Sequence, residues 1–62
     1  MNKIIEALKN GQVVMFNSNQ PRYYRMEKGV IYFSDRNESY TQWRRSNAST
    51  SIFNDETKWI IQ

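Results

Sequence analysis

The chain has 62 residues, with nine Lys or Arg against six Asp or Glu, which gives a formal net charge of +3. It has no Cys, which excludes disulfides and predicts a reducing, cytoplasmic setting; with no His either, it lacks the usual ligands for zinc, copper or iron–sulfur sites. We therefore expect one small domain over residues 1–62 with no metal and no cofactor, and no apolar run is long enough to cross a membrane.

A short amphipathic helix is predicted over residues 3–10. Asn2 is a suitable N-cap, and Gly11 is suited to the left-handed position just past the helix. At fewer than three turns, the helix needs to dock on a sheet in order to be stable. Its apolar stripe consists of Met1, Ile4, Ile5 and Leu8, with Ala7 beside it.

Strand-like runs follow the helix and alternate with turns. The segment "EKG" predicts a tight hairpin in which Gly29 takes positive φ, and Ile52 and Phe53 are expected to pin the long irregular connection at 46–56 to the core. The predicted fold class is α+β, with the helix packed on a small, strongly twisted antiparallel sheet of four to five strands. The strand runs are 12–16, 22–26, 30–34, 39–45 and 57–62.

The run at 30–34 is apolar on both sides, with Val30 and Tyr32 on one face and Ile31 and Phe33 on the other. One short helix covers only one face of such a sheet. A second copy of the chain would cover the other, so we expect a homo-oligomer. The alternative is a sheet curled into a small barrel that buries one side internally.

Catalysis is not expected. General acid–base work at neutral pH usually recruits His, which is absent, and the two glycines lie too far apart for a phosphate-cradling loop. Asp55 and Glu56 are adjacent and are typical of a solvated turn. An Arg- and Tyr-based nuclease stays open as the alternative.

Basic residues interleaved with aromatics form the candidate ligand-binding site. Arg offers a planar fork to phosphate, and an aromatic ring offers a surface on which a base stacks. The same residues also cover a sheet without any ligand, and the polar tract at 46–51 also suits an ordinary loop, so both interpretations stay open. The candidates are Arg22, Tyr23, Arg25, Tyr40, Trp43, Arg44, Arg45, Ser46, Asn47 and Ser49.

Strand alternation divides these candidates between two faces. It places Arg22 with Tyr24, and Tyr23 with Arg25. If the strand at 39–45 continues through its end, Arg44 and Arg45 point to opposite faces. The two arginines then share a ligand only where the strand stops at Trp43 or a neighbouring protomer completes the site.

The layout "IIEALKNGQVV", "YYRMEKGVIYF" and "KWIIQ" resembles small phage-encoded proteins of the Thoeris anti-defence sponge family. The resemblance implies a helix on an antiparallel sheet and a homo-oligomer that sequesters a cyclic nucleotide immune signal between protomers. The chain departs from the family in having "MFNSNQP" without Trp after the helix, and "TKW" where an acidic residue usually precedes the Trp. Trp59 alone is carried over, in a structural role.

The leading hypothesis is a non-enzymatic, phage-type anti-defence protein that holds a cyclic or other anionic nucleotide in an oligomeric pocket in the host cytoplasm. The alternatives are a protein-binding inhibitor of a host enzyme and a small single-stranded nucleic-acid binder. Arg and aromatic side chains serve all three, because they are also common hot spots of protein interfaces. The modest net charge counts against the nucleic-acid binder.

Overall fold

The computed structural model describes residues 2–62 and places one short helix against a five-stranded antiparallel sheet, which confirms the predicted α+β class. The strand order is β4-β3-β2-β1-β5. Within residues 2–62, no helix has the length and apolar character needed to span a bilayer. The elements are α1 (Lys3–Lys9), β1 (Val14–Phe16), β2 (Tyr23–Glu27), β3 (Val30–Ser34), β4 (Arg44–Arg45), 3-10 turns at Thr50–Phe53 and Glu56–Lys58, and β5 (Trp59–Ile61).

Helix α1 is capped at both ends as its sequence predicts. The Asn2 side-chain oxygen accepts hydrogen bonds from the backbone N–H groups of Ile4 and Ile5, at 2.8 and 3.1 Å. At the other end, Gly11 has φ +83° and the N–H of Gln12 donates to the carbonyl of Ala7 at 2.9 Å, which closes a Schellman motif. Met1, predicted to lie on the apolar stripe, is outside the described residues.

The hairpin between β2 and β3 is tighter than predicted. Glu27 pairs with Val30, so the loop contains only Lys28 and Gly29, with φ of 51° and 79°. Two successive positive φ values are those of a type I′ turn, whose twist matches that of the strands. The predicted positive φ of Gly29 is confirmed, and β3 has the predicted bounds.

The core is built around two aromatic side chains from the C-terminal third of the chain. Phe53 is fully buried and Trp59 is 7% exposed, and their ring centres lie 4.6 Å apart. The Trp59 indole N–H donates to the carbonyl of Ile52 at 3.1 Å. Ile52 itself is 37% exposed, so of the two residues expected to pin the connection only Phe53 is buried. The buried set is Ile4, Ala7, Leu8, Val14, Ile31, Phe53 and Trp59.

The predicted strand at 39–45 is wrong for most of its length, because only Arg44 and Arg45 pair with β3. The backbone N–H of Glu38 donates to the Thr41 hydroxyl at 2.8 Å, and the N–H of Thr41 donates to the Glu38 carbonyl at 2.9 Å. These bonds close a local turn in which the backbone groups have no ladder partner.

The first and last strands are also shorter than predicted, and each is limited by a neighbouring cap. The strand predicted from residue 12 begins at Val14, because Gln12 is used in the helix C-cap. The strand predicted from residue 57 begins at Trp59, because Asp55 caps a 3-10 turn over Glu56–Lys58. Each difference arises where a side chain or turn captures a backbone group that a strand would use.

The sheet is open, with β4 and β5 as its edges, so the alternative of a closed barrel is wrong. We call the side packed by α1 the helix-side face; it carries Val14, Tyr24, Ile31, Phe33 and Trp59. We call the opposite side the open face. The expectation that a second copy covers the open face stays a prediction. The open face carries Met15, Tyr23, Arg25, Glu27, Val30, Tyr32, Ser34, Arg45 and Ile60.

Replacing Phe53 with Leu tests whether the irregular connection is part of the core. We expect Phe53→Leu to lower the free energy of unfolding by about 1–3 kcal/mol, because it leaves a cavity against Trp59. Denaturant titration measures this. Thr50→Ala, at an exposed position of the same 3-10 turn, is the control and should change stability by less than about 0.5 kcal/mol. Equal losses for both variants would contradict the packing described.

Replacing Asp55 with Asn tests the cap before β5. Hydrogen bonds from the hydroxyl and the backbone N–H of Thr57 lower the pKa of the Asp55 carboxyl below its ordinary value of 3.8, and the charge of Lys58 adds to the shift. The ionised carboxylate therefore stabilises the fold above its unfolded-state pKa, and this contribution is lost as pH falls through the lowered folded-state pKa.

We expect Asp55→Asn to reduce the fall in melting temperature between about pH 5 and about pH 2. Thr57→Val, which keeps the carboxylate but removes the hydroxyl donor, should reduce it in part. An unchanged pH profile in both variants would contradict the role of the cap.

Candidate functional site

The two adjacent arginines of β4 point to opposite faces of the sheet. Arg44 pairs with Phe33 and lies on the helix-side face, whereas Arg45 pairs with Tyr32 and lies on the open face. The strand thus continues through Arg45. The two guanidinium groups of one protomer cannot bind a single small ligand together, so the structure separates the predicted site into parts.

The first part is a concave site beside Phe33, which we call the Phe33 cleft. It has a volume of about 500 Å³ and is open to solvent along one side. Of the predicted residues it contains Tyr40 and Arg44, and it adds others that the sequence analysis did not single out. It is lined by Phe33, Ser34, Asp35, Arg36, Tyr40, Thr41, Gln42 and Arg44.

Local hydrogen bonds fold the loop that forms the cleft wall. The Ser34 hydroxyl oxygen accepts from the backbone N–H of Arg36 at 3.1 Å. With the Thr41 turn described above, this bond orders both ends of the segment between β3 and β4. Tyr40 is left 68% exposed, unusual for a large aromatic side chain, and it lies in the same cleft as Arg36 and Arg44. Such exposure beside cationic groups is typical of a binding surface.

Arg22 contacts two of the residues that line the Phe33 cleft. Its guanidinium carbon lies 5.2 Å from the centre of the Phe33 ring, and its Nε lies 3.7 Å from an Asp35 carboxylate oxygen. Both charged side chains are more than half exposed, so this ion pair adds little to stability. A second hollow of about 650 Å³ lies beside Arg22 and Asp35, and Phe16 and Tyr24 also line it.

The second part lies on the open face and contains Tyr23, Arg25, Trp43 and Arg45. The Arg25 guanidinium carbon lies 5.7 Å from the centre of the Trp43 ring, which places that ring on the open face just before β4. Arg25 Nη2 also lies 3.3 Å from a Glu27 carboxylate oxygen. The predicted sharing of a face by Tyr23 and Arg25 is confirmed by the register of β2 and β3.

The third part is the polar tract, where Ser46, Asn47 and Ser49 line a groove of about 340 Å³ beside Gly29 and Arg45. The hydroxyls of Ser46 and Ser49 form hydrogen bonds within the tract. The Ser46 hydroxyl oxygen accepts from the N–H of Ala48 at 3.1 Å, and the Ser49 hydroxyl bonds that of Ser51 at 2.5 Å. The tract therefore behaves as a structured loop, and the structure does not bring it to Arg44.

Comparison with protein-family models, with curated proteins and with solved structures finds no significant match. The likeness to the Thoeris sponge family therefore remains one of short motifs. Among residues 2–62, no group of three or more His, Cys, Asp or Glu side chains is placed to hold a metal ion. The function is therefore argued from the geometry of the site.

Sequence reasoning missed Phe33, Asp35 and Arg36. The segment "DRNE" is typical of a turn, and it is irregular in the structure. Its available signal was an arginine two residues after the end of an aromatic strand. Only the folded loop, however, shows that this arginine lines the same cleft as Arg44.

Proposed function

We propose that this protein is a non-enzymatic nucleotide-binding protein whose ligand occupies the Phe33 cleft. One observation carries the proposal: two arginines and two aromatic rings line the same concave site. Within residues 2–62, the ion pairs use Arg22 and Arg25, so Arg36 and Arg44 have no carboxylate within 4.0 Å. Cations with no carboxylate in contact, beside the exposed ring of Tyr40, are suited to an anionic ligand that has a planar group.

The dimensions and chemistry of the cleft fit a nucleotide. Small-molecule pockets typically have volumes of about 300–1,000 Å³, a range that includes the volume of the cleft. Arg36 and Arg44 supply planar forks for phosphate, Tyr40 supplies an exposed stacking surface, and Phe33 adds apolar contact. The hydroxyl oxygens of Ser34 and Thr41 accept backbone hydrogen bonds, so their O–H groups are free to donate to a sugar or a base.

In biological terms, we propose a phage-type anti-defence protein that sequesters a cyclic nucleotide immune signal in the host cytoplasm. The resemblance of the two ends and the central hairpin to the Thoeris sponge family supports this role. The cleft is open along one side, and a second copy of the chain would close it over the ligand. An oligomeric pocket of this kind would exclude water and strengthen the arginine–phosphate contacts.

Calorimetry with 5′-AMP, 3′,5′-cyclic AMP and cyclic ADP-ribose tests the proposal. We expect at least one of them to bind with one ligand per protomer and to be recovered chemically intact after heating. Arg44→Gln should weaken binding about 10-fold or more, because it removes a charge-assisted hydrogen bond. Arg45→Gln is the matched control, since it removes the same charge from the next residue on the opposite face.

Three results would contradict the proposal. The first is no binding by any nucleotide of the panel. The second is equal weakening by Arg44→Gln and Arg45→Gln, which would indicate attraction by net charge rather than a site. The third is recovery of a cleaved ligand, which would indicate catalysis.

A protein-binding inhibitor is the second candidate, and the edge strand β5 favours it. Among residues 2–62, β5 pairs only with β1, so its other edge has no partner strand in this part of the chain. Ile60 and Ile61 are 43% and 41% exposed, and a largely apolar hollow of about 420 Å³ lies between them, α1 and Trp59. A free edge with apolar side chains is suited to pairing with a strand of another protein.

For this candidate we expect one bacterial enzyme to be captured stoichiometrically from lysate and to be inhibited by the purified protein. Ile61→Lys should abolish capture and inhibition, because a charge on the edge opposes strand pairing. Gln62→Lys, one residue beyond the strand, is the control. Retained inhibition by Ile61→Lys would exclude this edge as the contact surface.

A further inference from the structure

Three aromatic rings cross the open face of the sheet on neighbouring strands. Tyr23 belongs to β2 and Tyr32 to β3, and Trp43 lies just before β4. Helix α1 packs on the other face, so it covers none of the three. We propose that the open face binds single-stranded nucleic acid by stacking unpaired bases on these rings. This function is separate from the nucleotide site in the Phe33 cleft.

The spacing of the rings suits successive bases. Strands β2, β3 and β4 are consecutive in the sheet, and hydrogen-bonded strands lie about 4.8 Å apart. Tyr23 pairs with Ser34, so Tyr23 and Tyr32 are diagonal neighbours, at about 7–8 Å. Trp43 precedes β4, the next strand in the sheet, and its ring lies 5.7 Å from the guanidinium carbon of Arg25 on the same face. A strand of nucleic acid laid across the sheet therefore meets three rings in sequence, and stacking is possible with any base.

The charges of the open face favour an anionic polymer over a second copy of this chain. Among the described residues of the open face, the cations are Arg25 and Arg45, and the one side-chain carboxylate is that of Glu27, at the hairpin end. Stacking two such faces would bury four guanidinium groups against two carboxylates, which leaves two cations desolvated and unpaired. A phosphate backbone instead supplies an anion to each arginine and releases counterions.

The arginines are placed to meet the backbone of a strand that stacks on the rings. Arg25 and Arg45 both pair with Tyr32, one on each side of it, so the middle ring lies between two cations. Arg45 has no carboxylate within 4.0 Å among the described residues. The Arg25–Glu27 pair is partly exposed, and a phosphate can replace the Glu27 carboxylate there at little cost.

Fluorescence anisotropy with labelled oligouridylate and oligothymidylate of about twelve nucleotides tests the proposal, since stacking proteins occupy sites of about 4–16 nucleotides. We expect Trp43→Ala to weaken binding about 5- to 150-fold, the range measured for loss of one stacking ring, and Trp43→Phe to restore most of it. Arg45→Gln should weaken binding and lower the salt slope by about one, because it removes one phosphate contact. A higher affinity for either the RNA or the DNA probe identifies the natural strand.

Arg44→Gln separates this proposal from the nucleotide site. Arg44→Gln should leave the affinity for the oligonucleotides within about twofold of that of the unsubstituted protein while it weakens mononucleotide binding. Arg45→Gln should do the reverse. Strand binding without mononucleotide binding would thus sustain this inference while the proposed function fails. Thermal melting of each variant confirms that it is folded before it is compared.

Several outcomes would overturn the inference. They are no binding of either oligonucleotide at low salt, equal affinity for a duplex of the same length, and equal weakening by Arg44→Gln and Arg45→Gln. A fourth is a native mass equal to that of two chains, which falls to the mass of one chain in Trp43→Ala or Arg45→Gln. That result would assign the open face to a second copy.

Discussion

The contact between Phe53 and Trp59 is the interaction on which the rest of the structure depends. These residues flank the 3-10 turn at Glu56–Lys58, and their ring centres lie 4.6 Å apart. The indole N–H reaches back to the Ile52 carbonyl and closes that stretch on itself. Tyr24 packs edge-on against both rings, so the centre of the sheet is joined to the same cluster. Without this cluster, α1 would have little apolar surface to pack against, since a chain this small has few buried side chains.

A second constraint determines which ligands the two faces of the sheet are suited to bind. β4 has only two residues, and strand alternation sends their side chains to opposite faces. One basic dipeptide therefore supplies one cation to each of two surfaces of different shape. The helix side is a cleft rimmed by a folded loop, whereas the other side is sheet surface crossed by rings. A small anion with a planar group fits the first and an extended polyanion fits the second, so the two proposals assign different ligands to neighbouring residues.

The parts of the fold that the sequence predicted are those determined by local chemistry. The bounds of β3, the caps at Asn2 and Gly11, and the positive φ of Gly29 each follow from one or two neighbouring residues. The segment 39–43 could not be predicted, because its alternating pattern suits a strand and only the Thr41–Glu38 hydrogen bonds turn it away from the ladder. The site was predicted in part. Alternation predicted that Arg44 and Arg45 point to opposite faces if the strand continues through Arg45, but the place of Arg36 in the cleft depends on how the loop returns to the sheet.

The N-cap of the helix also makes the two ends of the chain order together. The Asn2 side chain uses its oxygen for the first turn of α1, and its amide N–H donates to the Phe53 carbonyl at 2.7 Å, across a sequence separation of 51 residues. The N–H of Lys3 similarly donates to the Glu56 carboxylate. A helix under three turns long has little tendency to form alone, so its first turn gains its full set of partners only after residues 53–56 have been synthesised. During translation, α1 should therefore remain largely unstructured until the segment around Phe53 leaves the ribosome, and folding should be a late event of high contact order.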